Sequence, residues 1–400
     1  MRVLISGASI AGPVLAYWLA KAGCEVTVVE RSPSLRKSGG HAVDLFKPAM
    51  QVVTKMGLLD AIRAKATGTD AMVIRLDSDK TVTVDLRKIY SAVSDNHVEI
   101  MRDDLSEILY AATSRSVDYV FDDSVKSISD DGEVDFEHSA PRRFDAVVGA
   151  DGLHSNVREL TFGPESDFST WIGAYLSVVS VPRGLARDGV MEVTPTVGRM
   201  AGVYTAEGMD DARALFLFRT PTPLDYHYHD VPRQKQFLRD VFGDMGAKTS
   251  RLLAEVDGTS AFYFDSITQL RLDTWSRGRV SLVGDAAYCP GAAVGGSTSL
   301  AVVGAYTLAG ELATHTPDYS AAFAAYESGI IDYVRSSRTF AVTAAKKLVP
   351  ASSFDLRVLI AVARWVGLLP TSVSRSLAKL NSMGLRLHDK FALKDYPALR

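Results

Sequence analysis

Short apolar runs separated by glycine-containing turns open the chain. Residues 3–5 form an apolar run of the kind that is buried on both faces of a sheet, and an apolar-periodic segment follows at residues 13–22. A second apolar run, residues 26–29, ends at Glu30. The order of strand, glycine turn, helix, strand and acid predicts a dinucleotide-binding βαβ unit.

The first turn carries the residues that such a unit requires. Gly7 permits the sharp turn out of the strand, and Gly12 lets the helix pack closely against the sheet. Ser9 stands where the fingerprint has its middle glycine; it keeps the backbone amide and adds a hydroxyl that can donate to phosphate. The helix N-terminus offers unpaired amides to a pyrophosphate, and Glu30 can accept hydrogen bonds from ribose hydroxyls. An ordinary strand-to-helix turn is the alternative, and the acid at the correct distance favours the nucleotide site.

Beyond this unit, the spacing of apolar residues predicts further helices and strands. Helices are predicted at residues 48–56, 102–113, 232–242 and 250–256, and from residue 298 onward, with a long one over 319–340. Hairpins are predicted at residues 72–76 with 81–84 and 125–128 with 134–136. Other strands are predicted at residues 144–149, 175–181, 190–193, 214–218, 262–270 and 279–283.

The alternating strands cluster between residues 171 and 270 and separate two sets of buried strands. The fold class is therefore α/β, with a first domain that is discontinuous along the chain. We predict a nucleotide-binding domain from residues 1–75, 98–170 and 271–320, a second sheet domain from residues 76–97 and 171–270, and a C-terminal helical region over residues 321–400.

Composition and charge narrow the classes of function. The 400 residues are 47% apolar and 23% charged, which is ordinary for a globular protein with a sizeable core. The net charge of −3 indicates no nucleic-acid partner, so a small molecule is expected. Two cysteines, Cys24 and Cys289, predict neither a disulfide framework nor a metal cluster. His227 and His229 are spaced like a metal pair, but a polar surface loop is favoured and no metal is predicted.

The sequence indicates neither export nor membrane insertion. Strand residues follow Met1 and Arg2 directly, which leaves no room for a signal peptide. No apolar run approaches the roughly 18 to 20 residues that span a bilayer. We therefore expect a cytoplasmic protein. The basic stretch over residues 356–400 could touch a membrane surface, but packing on the body is favoured and no stable membrane association is expected.

Three later motifs place polar residues at the ends of predicted elements. Arg102 opens a helix and is a bidentate donor suited to phosphate, although an arginine taken alone is most often a surface charge. Asp151 ends a buried strand, with Arg158 about a turn into the next helix. Asp285 begins a run of small residues before another helix. Close approach of backbone to a large flat ligand explains that run better than a flexible loop does.

Five different motifs are distributed over most of the chain. They are Gly7-x-Ser9-x-x-Gly12, Glu30-Arg31, Arg102-x-x-Leu105, Asp151-Gly152-x-x-Ser155-x-x-Arg158 and Gly284-Asp285-Ala286-Ala287. Their order and spacing resemble those of the single-component FAD-dependent aromatic hydroxylases, the class A flavoprotein monooxygenases. Four segments make the chain most similar, within that class, to the tetracycline-inactivating monooxygenases and their polyketide-hydroxylase relatives: Phe262-Tyr263-Phe264-Asp265, Trp275-Ser276-x-Gly278-Arg279, Gly284 through Pro290 and Val303 through Leu312.

The resemblance implies FAD as the cofactor and NADPH or NADH as co-substrate. The residues implied to bind FAD are Gly7, Ser9, Gly12, Glu30, Arg31, Gly40, Asp44, Arg102, Asp151, Asp285, Pro290, Gly295 and Gly296. Glu30 would hold the adenosine ribose, and Gly295 and Gly296 would lie beside the isoalloxazine. Arg158 would serve the transient encounter with NADPH.

The resemblance also implies a fold and a reaction. The fold is a Rossmann-like FAD-binding domain with an antiparallel-sheet substrate domain and C-terminal helices. The reaction inserts one atom of dioxygen, through a C4a-hydroperoxyflavin, into an aromatic or polyketide-like molecule such as a tetracycline-type antibiotic. Candidate substrate-wall residues, each equally plausible as plain core, are Tyr204, Phe216, Phe218 and Phe264.

Two other classes of function stay open at this point. One is a flavin-dependent reductase or dehydrogenase on the same fold, without oxygen insertion. The other is a non-catalytic protein that binds an aromatic ligand. The expected assembly is a monomer or a homodimer.

Overall fold

The computed structural model describes residues 1–35, 39–76, 80–87, 97–291, 296–368 and 391–400. The strands, in chain order, are β1 (Arg2–Ser6), β2 (Glu25–Glu30), β3 (Ala42–Leu45), β4 (Ala71–Arg75), β5 (Thr81–Asp85), β6 (Val98–Met101), β7 (Asp118–Phe121), β8 (Val125–Ile128), β9 (Glu133–Phe136), β10 (Arg142–Arg143), β11 (Ala146–Gly149), β12 (Ser169–Pro182), β13 (Val190–Thr196), β14 (Arg199–Tyr204), β15 (Asp211–Arg219), β16 (Phe262–Leu270), β17 (Ser276–Arg277) and β18 (Val280–Leu282).

The helices, in chain order, are α1 (Ala11–Lys21), α2 (Lys47–Lys55), α3 (Leu59–Ala64), α4 (Arg102–Ala111), α5 (Asn156–Phe162), α6 (Val231–Phe242), α7 (Gly246–Ala254), α8 (Asp285–Tyr288), α9 (Ser297–His315), α10 (Tyr319–Leu348) and α11 (Ser353–Leu368). Short 3-10 turns occupy Glu165–Asp167, Arg183–Leu185 and Pro397–Leu399. No helix within these described ranges is long and apolar enough to cross a membrane.

A mainly parallel sheet contains the first strands of the chain. Its order is β17-β18-β11-β1-β2-β7, with β1 between β11 and β2. All neighbouring pairs are parallel except β17 with β18. The predicted βαβ unit is therefore confirmed. Strand β7 was not predicted: its apolar run, residues 119–121, is short, and at the sheet edge its side chains are half-buried or exposed.

The second sheet has seven strands in the order β16-β12-β15-β14-β13-β4-β5. Strand β4 pairs in parallel with β13, where Met72 lies opposite Met191, and pairs antiparallel with β5. The predicted boundary after residue 75 is therefore wrong by one strand. Both strands of the predicted hairpin belong to the second sheet, because hairpin strands share a ladder.

The two faces of this sheet have different neighbours. Phe216, Phe218 and Phe264 pack with side chains of α6 and α7, such as Phe242. Because side chains alternate between faces along a strand, their neighbours Leu215, Leu217 and Tyr263 point the other way. That opposite face packs against the end of α10 through Val349.

The C-terminal part of the chain wraps around the parallel-sheet domain. Helix α9 is buried along almost its whole length and packs against α1, α2 and α10. Helix α11 packs on the second sheet through Ala363. The end of the chain returns to α9, where Lys394 Nζ and Tyr396 Oη donate to Glu311 Oε1 at 2.6 and 2.8 Å. Residues 369–390 of the predicted basic stretch lie outside the described residues.

Candidate functional site

The turn after β1 has the steric role predicted for its glycines. Gly7 has φ +110°, and a Cβ there would lie 2.5 Å from the carbonyl oxygen of Ala150. A Cβ on Gly12 would overlap the carbonyl oxygen of Gly7. Only glycine allows this approach of α1 to β1, which leaves the first amides of α1 at the mouth of the turn.

Glu30 closes the turn from the end of β2. Its Oε2 accepts a hydrogen bond from Ala8 N at 2.9 Å, and its Oε1 accepts one from Ser32 N at 3.0 Å. The carboxylate thus fixes the backbone on both sides of the turn. Because a carboxylate oxygen can accept more than one hydrogen bond, it also keeps acceptor capacity for a ligand hydroxyl.

Ser9 is held by α4. Arg102 Nη2 donates to Ser9 Oγ at 3.1 Å, and Ser106 Oγ donates to the carbonyl oxygen of Ser9 at 3.0 Å. Arg102 also donates from its backbone N to His41 O at 3.0 Å. The serine that departs from the glycine fingerprint therefore positions a guanidinium at the same turn.

These elements line one groove of about 450 Å³. Seven of the predicted cofactor residues line it: Gly7, Ser9, Glu30, Arg31, Gly40, Arg102 and Asp151. His41 and Tyr263 complete one wall, with ring centroids 6.0 Å apart. Burial, reinforced by Arg102, lowers the pKa of His41 to about 4, so its imidazole is neutral at physiological pH.

The loop at Gly40 is held from both sides. Gly40 N donates to Asp103 Oδ2 at 2.9 Å, and Arg213 Nε donates to Gly40 O at 2.9 Å. The hydroxyl of Tyr204 accepts a hydrogen bond from Ala42 N at 2.8 Å. Two of these contacts come from the second sheet, so the groove loop is fixed relative to that sheet.

Asp151 and Arg158 have different environments. Asp151 lines the groove and accepts hydrogen bonds from Ser155 Oγ at 2.5 Å and Val157 N at 3.1 Å; burial raises its pKa. Arg158 is 1% exposed and donates to the carbonyl oxygens of Leu153 and Ala286. These oxygens hold the guanidinium of Arg158 inside the protein, and its predicted encounter with NADPH stays a prediction.

The other predicted cofactor residues lie beyond this groove. Ser297 Oγ donates to Asp285 Oδ1, Pro290 O accepts from Gln269 Nε2, and Gly296 N-caps α9 with φ +93°. Asp44 Oδ1 lies 2.6 Å from His97 Nε2. Ser299 Oγ, in the first turn of α9, donates to the carbonyl oxygen of Asp44 at 3.0 Å, which joins the start of α9 to the strand that follows groove residue His41. Gly295 lies outside the described residues.

Three of the four predicted substrate-wall residues lie on the face of the sheet that α6 and α7 cover, and their role toward a substrate stays a prediction. Phe216, Phe218 and Phe264 are core residues against α6 and α7, and Tyr204 supports the groove loop. The half-buried side chains on the opposite face are Met200, Leu215 and Tyr263. An alternating strand offers two faces, and the sequence alone does not mark which face the helices cover.

A charged network that the sequence did not reveal joins the second sheet to the parallel-sheet domain. His154 Nδ1 lies 3.0 Å from Glu165 Oε2, and His154 Nε2 lies 3.2 Å from Asp265 Oδ2. Glu165 also pairs with Arg158 at 2.8 Å. Burial opposes a charge on His154, but its hydrogen bonds to Asp265 and Glu165 outweigh that effect and raise its pKa to about 9. His154 is therefore an imidazolium at neutral pH.

This network predicts a pH-dependent contribution to stability. Because the folded pKa of His154 exceeds its ordinary value, the contribution is full below about pH 6.5 and lost as the pH rises through about 9. We expect His154→Gln to lower the free energy of unfolding by on the order of 2 kcal/mol at pH 6 and by much less at pH 10. Urea unfolding across this pH range measures the difference. If the free energies of unfolding of the wild type and the variant differed by the same amount at every pH, the prediction would be contradicted. His138→Gln, at an exposed histidine, is the control.

Comparison with known proteins identifies the family. The FAD binding domain family matches residues 1–328. An uncharacterised protein of Mycobacterium tuberculosis is 41% identical over 347 residues, covering 84% of this chain and 91% of its own length. A flavin-dependent monooxygenase of Legionella longbeachae is 34% identical over 345 residues, covering 86% of this chain and 88% of its own.

A solved structure extends the similarity to the whole chain. The crystal structure of the tetracycline destructase Tet(55) superposes with a TM-score of 0.82 at 31% identity, covering 98% of both chains. Its fold therefore matches both sheets and the C-terminal helices described above. The chain belongs to the FAD binding domain family and is an FAD-dependent monooxygenase.

Proposed function

We propose that the chain uses NADPH or NADH to insert one atom of dioxygen into an aromatic or polyketide-like small molecule. The observation that carries the proposal is the convergence of seven predicted cofactor residues on one groove. Tet(55), which the chain resembles over its whole length, is a tetracycline destructase. A tetracycline-type antibiotic is therefore the first substrate to test.

The residues of the groove fit FAD. The first amides of α1, exposed by the Gly7 and Gly12 approach, suit the pyrophosphate, and Glu30 suits the ribose hydroxyls. Arg102, fixed by Ser9, adds positive charge at the same point. We assign Asp44, Asp285, Pro290 and Gly296 to the far end of the cofactor. When bound, FAD would accept hydride from NAD(P)H and would activate dioxygen.

The protein's own part is to position the substrate and keep water out. The sheet face with Met200, Leu215 and Tyr263 is apolar and lies on the groove side, so it suits a flat apolar ring system. Water exclusion by such a wall protects the activated oxygen from unproductive breakdown. Tyr204 and Arg213 couple this wall to the groove loop at Gly40.

The reductant is proposed to enter the same cleft transiently. Within the described ranges, one parallel sheet carries one βαβ unit, and it is assigned to FAD. The proposed domains are accordingly a cofactor domain around the parallel sheet and a substrate domain around the seven-stranded sheet. Use of NAD(P)H also favours the cytoplasm as the place of the reaction. A monomer and a homodimer both fit the proposal.

Oxygen consumption with purified, FAD-loaded protein tests this function. NADPH or NADH is supplied with tetracycline and with phenolic polyketides, and an oxygen electrode is combined with mass spectrometry of the product. We expect substrate-stimulated oxygen uptake and a product heavier by one oxygen atom, in proportion to the NAD(P)H oxidised. Substrate-dependent NAD(P)H oxidation without oxygen uptake, in which the substrate accepts the two electrons, would indicate a flavin-dependent reductase. A colourless protein that cannot be reconstituted with FAD would indicate a ligand binder.

A further inference from the structure

Arg338 in α10 has an unsatisfied pair of hydrogen-bond donors. Its Nε and Nη2 are both buried and have no hydrogen-bond partner among the residues that the structure describes. These two nitrogens form the side edge of the guanidinium, where two N–H groups point in parallel. That edge matches the two oxygens of a carboxylate or phosphate.

The charges around Arg338 do not neutralise it. Burial lowers its pKa to about 10, and the neighbouring cations Arg271 and Arg335 act in the same direction. Arg271 donates from Nη2 to the neutral side chain of Gln269 at 3.2 Å. Within the described ranges, neither Arg338 nor Arg271 forms an ion pair with a carboxylate. A buried guanidinium without an opposite charge is unfavourable, so this position calls for an anion.

Gln269 ties these arginines to the proposed cofactor site. Gln269 is fully buried, and its Nε2 donates to the carbonyl oxygens of Pro290 and Arg338, each at 2.8 Å. Gln269 also continues the strand β16, whose Tyr263 lines the groove. Gln269 therefore joins the backbone of Arg338, the guanidinium of Arg271 and the backbone of Pro290 in one cluster, and the unsatisfied edge of Arg338 belongs to a side chain of that cluster.

We propose that Arg338 and Arg271 form a binding site for an oxyanion group, a carboxylate or a phosphate, with Arg338 holding two of its oxygens through Nε and Nη2. Arg271 adds the second positive charge. The group belongs either to an acidic substrate or to a phosphate of the reductant. Only this choice of source rests on the proposed function, since binding of the anion itself does not require turnover.

Thermal unfolding of the FAD-loaded protein tests the site without turnover. The Tm is measured in benzoate, in inorganic phosphate and in chloride, all at the same ionic strength. Chloride is the reference salt. We expect benzoate or phosphate, well above its Kd, to raise the Tm by about 3–5 °C relative to chloride. The same Tm in all three salts would overturn the site.

Variants locate the effect on Arg338. Arg338→Gln removes the uncompensated charge, so we expect it to raise the Tm in chloride and to abolish the extra stabilisation by benzoate or phosphate. Arg338→Lys keeps the charge but lacks the paired donors, and is expected to weaken anion binding about tenfold or more. Arg335→Gln is the matched control on the same helix, because Arg335 is exposed, and it is expected to retain the anion response.

The outcomes also identify the source of the anion. A Tm response to benzoate that needs Arg338 supports a carboxylate of the substrate. A response to phosphate, together with a loss of NADPH affinity but not NADH affinity in Arg338→Gln, supports the reductant. A lower Tm for Arg338→Gln with an unchanged anion response would overturn the site. The anion response is independent of oxygen uptake, so failure of one proposal does not entail failure of the other.

Discussion

Replacing Gly12 with alanine is expected to lower the free energy of unfolding by about 3 kcal/mol and to prevent FAD from co-purifying with the protein. The added Cβ would overlap the carbonyl oxygen of Gly7, which is backbone and cannot move aside as a flexible side chain would. The helix α1 must therefore shift away from β1. Such a shift moves the first amides of α1 and removes their fit to a pyrophosphate.

Urea unfolding and flavin absorbance of the purified Gly12→Ala protein measure the two effects. Gly184→Ala is the matched control, because no atom lies within 4 Å of its added Cβ and its backbone conformation suits any residue. We expect this control to change the free energy of unfolding by less than about 0.5 kcal/mol and to retain FAD. A Gly12→Ala protein with wild-type stability and retained FAD would show that FAD binding does not depend on the close approach of α1 to β1.

The Gly12 turn could be predicted from sequence because its determinants are local. Strand, glycine turn, helix and acid follow within residues 2–30, so each requirement is visible as a spacing. The same holds for β4 with β5 and for β8 with β9, whose short turns fix their pairing. Local signals did not show which sheet a hairpin joins, and the predicted boundary at residue 75 failed for that reason.

Features that depend on distant contacts were not predictable. Asp265, 111 positions away, contributes together with Glu165 to the raised pKa of His154. Arg158 resembles a cofactor ligand in sequence, yet its Nη1 donates to the carbonyl oxygen of Ala286, 128 positions away. Likewise, the alternation that placed Phe216 in a strand gave no sign of which face α6 covers. In each case at least one of the neighbours is remote along the chain, and periodicity carries no information about it.

Replacing Glu30 with alanine is expected to weaken FAD binding by about 100-fold. The carboxylate accepts hydrogen bonds from Ala8 N and Ser32 N, so its loss leaves two amides of the turn without their partner. The change also removes the acceptor proposed for the ribose hydroxyls. Both effects act on the adenosine end of the groove, and titration of the apoprotein with FAD, followed by flavin fluorescence, measures them together.

Two further variants separate the roles of Glu30. Glu30→Gln keeps one acceptor oxygen but turns an N–H toward a backbone amide, so we expect a loss of about tenfold in FAD affinity. Glu25→Gln, at the exposed start of the same strand, is the control and should bind FAD as the wild type does. If Glu30→Ala had the melting temperature of the wild type and an FAD affinity within threefold of it, Glu30 would have no role in binding FAD. If the melting temperature of the apoprotein fell in step with affinity, Glu30 would act by shaping the turn. A loss of affinity at unchanged apoprotein stability would instead indicate direct contact with the ribose.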